Sequence, residues 1–159
     1  MLRVSRLTDY GTLVLSQMAC TPGRVSSASE LAARLGLGVA TVSKILKILA
    51  RNELVVSVRG QRGGYSLGRA PGQITLADIV DALEEQPFGL TECSTDSGHC
   101  GIETGCTMRS NWQRVNAVVR AALESVSLQD MIEPVAVPLR GPMRASGSRF
   151  APPPAGGSR

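Results

Sequence analysis

The chain has 159 residues, 43% of them hydrophobic and 19% charged, so it has enough apolar material for one buried core and too little charge for wholesale disorder. Aromatic residues are only 3%, so that core must be built from Leu, Val, Ile and Ala. No run of about 18 apolar residues exists to span a bilayer. Met1 to Tyr10 carries Arg3, Arg6 and Asp9 and no signal-peptide core, so the expected location is cytoplasmic, without membrane association.

The charge is unevenly placed. Residues 1–69 carry ten Lys/Arg against three acids, residues 70–133 three against ten, and residues 134–159 four arginines and no acid. A basic amino-terminal half is the electrostatic footprint of a nucleic-acid binder, although charge alone fits a solvated basic surface equally well. The composition divides the chain the same way: a basic module over 1–69, an acidic one over 70–133, and a Pro/Gly/Arg-rich tail over 134–159. The tail holds six of the nine prolines and is expected to be disordered, its arginines adding non-specific phosphate attraction.

In chain order, Thr8 to Cys20 places Leu13, Val14, Met18 and Ala19 at helical spacing, and Pro22-Gly23 ends the pattern. Cys20, on an apolar run, reads as a small core residue. Ser27-Ala-Ser-Glu30 has capping-box spacing before a short helix Ala28 to Leu35 that stops at Gly36. A second helix follows from Val39 to Arg51. Its Val42, Ile45, Leu46 and Leu49 form one apolar stripe, with Thr41, Lys44, Lys47 and Arg51 on another face. Two short helices around a Gly turn, the second basic on its free face, form a helix-turn-helix pattern.

Leu54 to Arg59 and Tyr65 to Leu67 read as strands joined through Gly63-Gly64, with Arg59 and Arg62 at the hairpin tip. The expected fold is therefore mainly α: a winged helix-turn-helix that sets polar side chains against base edges and a basic wing against phosphate or the minor groove. A small helical bundle whose hairpin binds another protein is the alternative. Thr75-Leu-Ala-Asp78 is a second capping box, opening a helix with Leu76, Ile79, Val80 and Leu83 on one stripe. From about Met108 to Val126, Trp112, Val115, Val119, Ala122 and Val126 recur at three and four residues. About 18 helical residues span about 27 Å, which suits packing against a second copy in a two-fold dimer; folding back on its own module is the alternative.

Between these helices lie Cys93, Cys100 and Cys106, spaced Cys-x6-Cys-x5-Cys in a Gly/Ser/Thr-rich segment with almost nothing to bury. Soft thiolates suit iron–sulfur clusters and zinc, although the spacing lacks the paired Cys-x2-Cys of common zinc sites and leaves one ligand of four missing. Ordinary or redox-reactive thiols are the plainer alternative. His99, the only histidine, lies in the same segment and is a candidate fourth ligand. A cysteine enzyme is disfavoured, because no Asn or Asp partner pattern accompanies that His; neither a reaction nor a small-molecule substrate is expected.

Four stretches carry a family resemblance: Leu7-Thr-Asp-Tyr-Gly11, Val58-Arg-Gly-Gln-Arg-Gly-Gly-Tyr65, Ile74-Thr-Leu-Ala-Asp78 and the three-cysteine segment. Over residues 1–133 the chain resembles the winged-helix iron–sulfur regulators of IscR/NsrR type. Leu90-Thr-Glu-Cys93, Gly98-His-Cys100, Trp112-Gln-Arg-Val-Asn-Ala117 and Ser127-Leu-Gln-Asp-Met131 look most like the branch regulating SUF-type cluster assembly genes.

The resemblance implies a homodimeric repressor on double-stranded promoter DNA, its binding dependent on an iron–sulfur cluster held by Cys93, Cys100 and Cys106. Family members hold either cluster type; 2Fe-2S is expected ahead of 4Fe-4S. Ala40, Thr41, Ser43, Lys44 and Lys47 would face the DNA, with Arg59 in the wing. IscR-type members supply a His three residues after the last cysteine, where this chain has Arg109, which cannot ligate. NsrR-type members use an Asp in a Thr-Asp-Tyr context near the amino terminus of the partner subunit, and Thr8-Asp9-Tyr10 matches it. Asp9, supplied across the dimer, is thus the expected fourth ligand ahead of His99. A nitric-oxide- or redox-sensing repressor on the same scaffold and a zinc-stabilised DNA-binding module are the alternative functions.

Overall fold

Helix capping and apolar spacing account for most of the elements in the computed structural model, which describes residues 4–84, 89–91 and 106–133. Cys93, His99, Cys100 and the tail lie outside the described residues. Helix α1 spans Arg6–Ala19, with the Ser5 hydroxyl accepting from the Thr8 N–H at 3.2 Å. Its inner face is Thr8, Gly11, Val14, Leu15 and Met18. Leu13 is 45% exposed, so the expected stripe is corrected: Leu15 takes the inner position that a 3.6-residue period gives it beside Gly11 and Met18. Cys20 is corrected too. It is the C-cap of α1 and exposed, because the helix leaves the core at its last turn.

Helix α2, Ala28–Leu35, begins with Ser27 accepting from the Glu30 N–H at 3.1 Å and ends at Gly36 in the left-handed conformation (φ 66°). Only one arm of the expected capping box forms. The Glu30 carboxylate turns away from the cap and pairs with Arg24 and, at 3.0 Å, with Arg34. Helix α3, Val39–Arg51, buries Val42, Ile45, Leu46 and Leu49 completely, as its spacing predicts. Strands β1, Val55–Val58, and β2, Gly64–Leu67, pair antiparallel with Val55 opposite Leu67 and Val58 opposite Gly64.

After a 3-10 turn at Pro71–Gln73, helix α4 spans Leu76–Leu83 under a complete capping box: Thr75 N–H to Asp78 Oδ2 at 3.0 Å and Asp78 N–H to Thr75 Oγ1 at 3.1 Å. Helix α5, Arg109–Glu124, and helix α6, Leu128–Ile132, complete the described chain. The charge reversal near residue 70 does not coincide with a break in packing. Ile74, Ile79, Leu83 and Leu128 join Val14, Leu15, Ile45, Leu46 and Leu54 in one buried cluster. Gly11 lets Leu83 lie directly against α1, since a Cβ there would stand 2.2 Å from Leu83 Cδ1 and the leucine side chain would have to shift. The architecture is a mainly helical winged helix.

Candidate nucleic-acid interface

The buried stripe of α3 fixes what faces outward. Ala40, Lys44, Lys47 and Arg51 are exposed, and Thr41 and Ser43 are half-buried at the edges of the face. Ala40, Ser43, Lys44, Lys47, Ile48 and Arg51 line a single shallow groove along the helix. Arg51, placed on this face by the sequence although not among the contacts that the family resemblance implies, lines the same groove. Its position seven residues after Lys44 and four after Lys47 is the signal that assigns it there.

The wing is held to the same body. Ser26, just before α2, exchanges two backbone hydrogen bonds of 2.9 Å with Tyr65 in β2. A Cβ at Gly64 would lie 2.5 Å from the Ser26 carbonyl oxygen, so glycine is required for this approach. The tip residues Arg59, Gly60, Gln61 and Arg62 are exposed. Among the described residues, Arg24, Arg34, Arg69 and Arg120 are engaged by carboxylates. Lys44, Lys47, Arg51, Arg59 and Arg62 are in none of these ion pairs. Apart from Arg6 on α1 and Arg114 on α5, the cations outside these pairs collect on the outer face of α3 and on the wing, which suits a polyanion.

Of the expected ligands, Cys106 is half-buried just ahead of α5, and Asp9 is exposed in the first turn of α1. The Asp9 carboxylate has no hydrogen bond or ion pair among the described residues, so it is open to a donor or metal from outside, at a helix end whose dipole favours an anion. Beside it is a contact that local sequence does not announce. Glu84 Oε1, at the end of α4, accepts from Thr8 Oγ1 at 2.6 Å and from the Ser5 N–H at 3.0 Å.

Partial burial pushes the Glu84 carboxyl up, but the bonds from Thr8 and Ser5 outweigh it and hold it below its usual value of 4.5. A depressed carboxyl contributes stability above its unfolded value that is lost as pH falls through the folded one. Glu84→Gln is therefore expected to melt below the wild type at pH 6, with the gap closing below about pH 4. A gap independent of pH would contradict it.

Residues 4–134 match the family model for Rrf2, described as an iron-dependent transcriptional regulator. The chain belongs to the Rrf2 family of transcriptional regulators. This Rrf2 chain is 30% identical to T. potens IscR over 82% of its own length and 86% of that chain, with a TM-score of 0.62. Against CymR, the global cysteine regulator of B. subtilis, identity is 28%, coverage 83% and 97%, and TM-score 0.63. A Listeria innocua structure at 24% identity, covering 94% of this chain and 96% of that one, shares the fold at a TM-score of 0.68. Rrf2 membership identifies the winged helix as that of a DNA-binding transcriptional regulator, and the exposed α3 face and wing are its candidate nucleic-acid interface. No helix among the described residues is long and apolar enough to cross a membrane.

Proposed function

We propose that this Rrf2 chain is a dimeric repressor of SUF-type cluster assembly genes whose hold on promoter DNA depends on a bound iron–sulfur cluster, 2Fe-2S ahead of 4Fe-4S. The observation that carries this reading is the Cys93, Cys100, Cys106 triplet in an Rrf2 chain, joined by the open carboxylate of Asp9. Three thiolates and one carboxylate are a donor set that fits such a group. Likeness to an IscR at 30% identity supports the choice. When bound, the cluster supplies a rigid, oxidisable crosslink among its ligands.

The chain's own residues do the rest. Residues 1–69 read DNA through Ala40, Thr41, Ser43, Lys44 and Lys47, with Arg59 and Arg62 on the backbone or in the minor groove. Residues 70–133 hold the three cysteine ligands and the dimer helix, and residues 134–159 form an arginine-bearing tail. Helix α5 buries none of its own residues and exposes Trp112, Val115 and Val118, a face suited to a second copy. Asp9 reaches the cysteine segment of the other subunit across that dimer. Because α1 packs under α3, fixing Asp9 fixes the reading helix as well.

The test is purification without oxygen, with iron and sulfide counted per chain and promoter retardation measured before and after iron removal. A brown, iron-bearing protein is expected, with DNA affinity about 5–150-fold weaker after removal. Asp9→Ala is expected to alter the absorption spectrum and His99→Ala to leave it unchanged. A colourless, iron-free preparation, or equal retardation in both states, would overturn the reading.

A further inference from the structure

The tip of the wing is built to be slender. Val58 and Gly64 form the last pair of the hairpin, and beyond it the Gly63 N–H donates to the Gly60 carbonyl at 2.9 Å. That bond closes a β-turn with Gln61 and Arg62 at its two corners, neither of them at positive φ. The flanking glycines are required by the geometry. Gly60 stands at φ 130°, which side chains disfavour, and a Cβ at Gly63 would lie 2.5 Å from the Val58 carbonyl oxygen. With no side chain on either, Gln61 and Arg62 stand on a stem no wider than backbone. The two bonds between Ser26 and Tyr65 fix the root of that stem to the chain just before α2.

Arg59, Gln61 and Arg62 are all exposed, and none of these side chains makes a hydrogen bond or ion pair among the described residues. Phosphate alone would be served better by a third cation than by a neutral amide between two guanidiniums. The order cation, amide, cation suits a minor groove, about 6 Å wide and rimmed by the phosphates of both strands. The arginines meet the rims or the negative potential of a narrow groove, and the amide lies over the base edges. An A·T pair offers only acceptors there, adenine N3 and thymine O2, whereas guanine adds an amino group that projects into the groove. The Gln61 side-chain amide can donate to those acceptors.

We infer that Gln61 is a specificity-determining residue: from the apex of the wing turn it donates to adenine N3 or thymine O2 on the minor-groove floor and makes the protein select A·T pairs beneath the wing. The inference rests on the DNA-binding part of the reading above and is independent of the cluster.

The experiment selects preferred sites from a pool of random duplexes with the full chain, purified without oxygen. Each A·T pair of the preferred site is then exchanged in turn for G·C and for inosine·cytosine. Inosine keeps the major-groove face of guanine and lacks only its minor-groove amino group, so rescue by inosine isolates the minor groove. At one or more pairs the wild type should lose about ten-fold in affinity as G·C and regain most of it as inosine·cytosine. Gln61→Ala should melt with the wild type, since an exposed turn side chain leaves the core untouched, and should bind all three versions of that pair within about two-fold. Exchanges elsewhere in the site should cost the variant as much as the wild type. A wild type with no inosine-rescued pair overturns the inference, as does a variant that keeps the full discrimination there; both results leave DNA binding standing. A wild type that enriches no sequence from the pool overturns the DNA-binding reading as well.

Discussion

Replacing Leu128 by alanine is expected to cost about 2–5 kcal/mol and to unfold the basic and acidic halves together. Leu128 is fully buried, and its backbone N–H closes the 2.7 Å bond to the Ile74 carbonyl. Truncation removes three carbons from a close-packed site. The neighbours available to collapse into the space come from α1 and from the turn before α4, each already fixed by other contacts. A loss of that size lowers the melting temperature by on the order of 10 °C.

The informative readout is the number of transitions. Helix content reports the whole chain, whereas the fluorescence of Trp112, the only tryptophan, reports α5. Because Val14, Ile45, Leu46, Ile79, Leu83 and Leu128 share one core, both signals should move together in wild type and variant. Two separated transitions, with the basic half melting where it did before, would show that the charge boundary is a domain boundary after all.

Local signals in the sequence carried α2 and α3 almost residue by residue. A serine cap, a glycine stop and an uninterrupted apolar stripe act within a turn or two, and those interactions persist in the fold. The same holds for the Thr75–Asp78 box, whose two arms both form. The stripe of α1 was misplaced because Leu13 and Leu15 both flank Val14, and only the row Gly11, Leu15, Met18 separates the inward leucine from the outward one. Local spacing also misled at Glu30, where two arginines compete with the helix cap for one carboxylate.

The site was legible in its chemistry and less so in its geometry. Lys44 and Lys47 follow from helical spacing, as does Arg51. The ties from Glu84 to Thr8 and from Arg120 to Asp81 bridge 76 and 39 residues, and no local pattern encodes such partners. They become readable only once the shared core brings α1 against α4 and α4 against α5.

The cations on the outer face of α3 stand at different depths along one helix and should therefore contribute differently to DNA binding. A recognition helix presents its amino-terminal residues to base edges while residues further along meet the backbone. Lys44 lies one turn beyond Ala40, Lys47 roughly a turn further, and Arg51 at the last residue. Lys44→Ala is therefore expected to cost about 1–3 kcal/mol on the preferred sequence and almost nothing on random DNA, relaxing sequence choice. Lys47→Ala is expected to weaken binding to every sequence and to lower the slope of log affinity against log salt by about one, with Arg51→Ala behaving the same way. Salt titrations against the preferred site and a scrambled duplex separate the two roles. A slope change for Lys44→Ala as large as that for Lys47→Ala, on random DNA, would mean that both lysines sit on phosphate and that sequence is read from another part of the face.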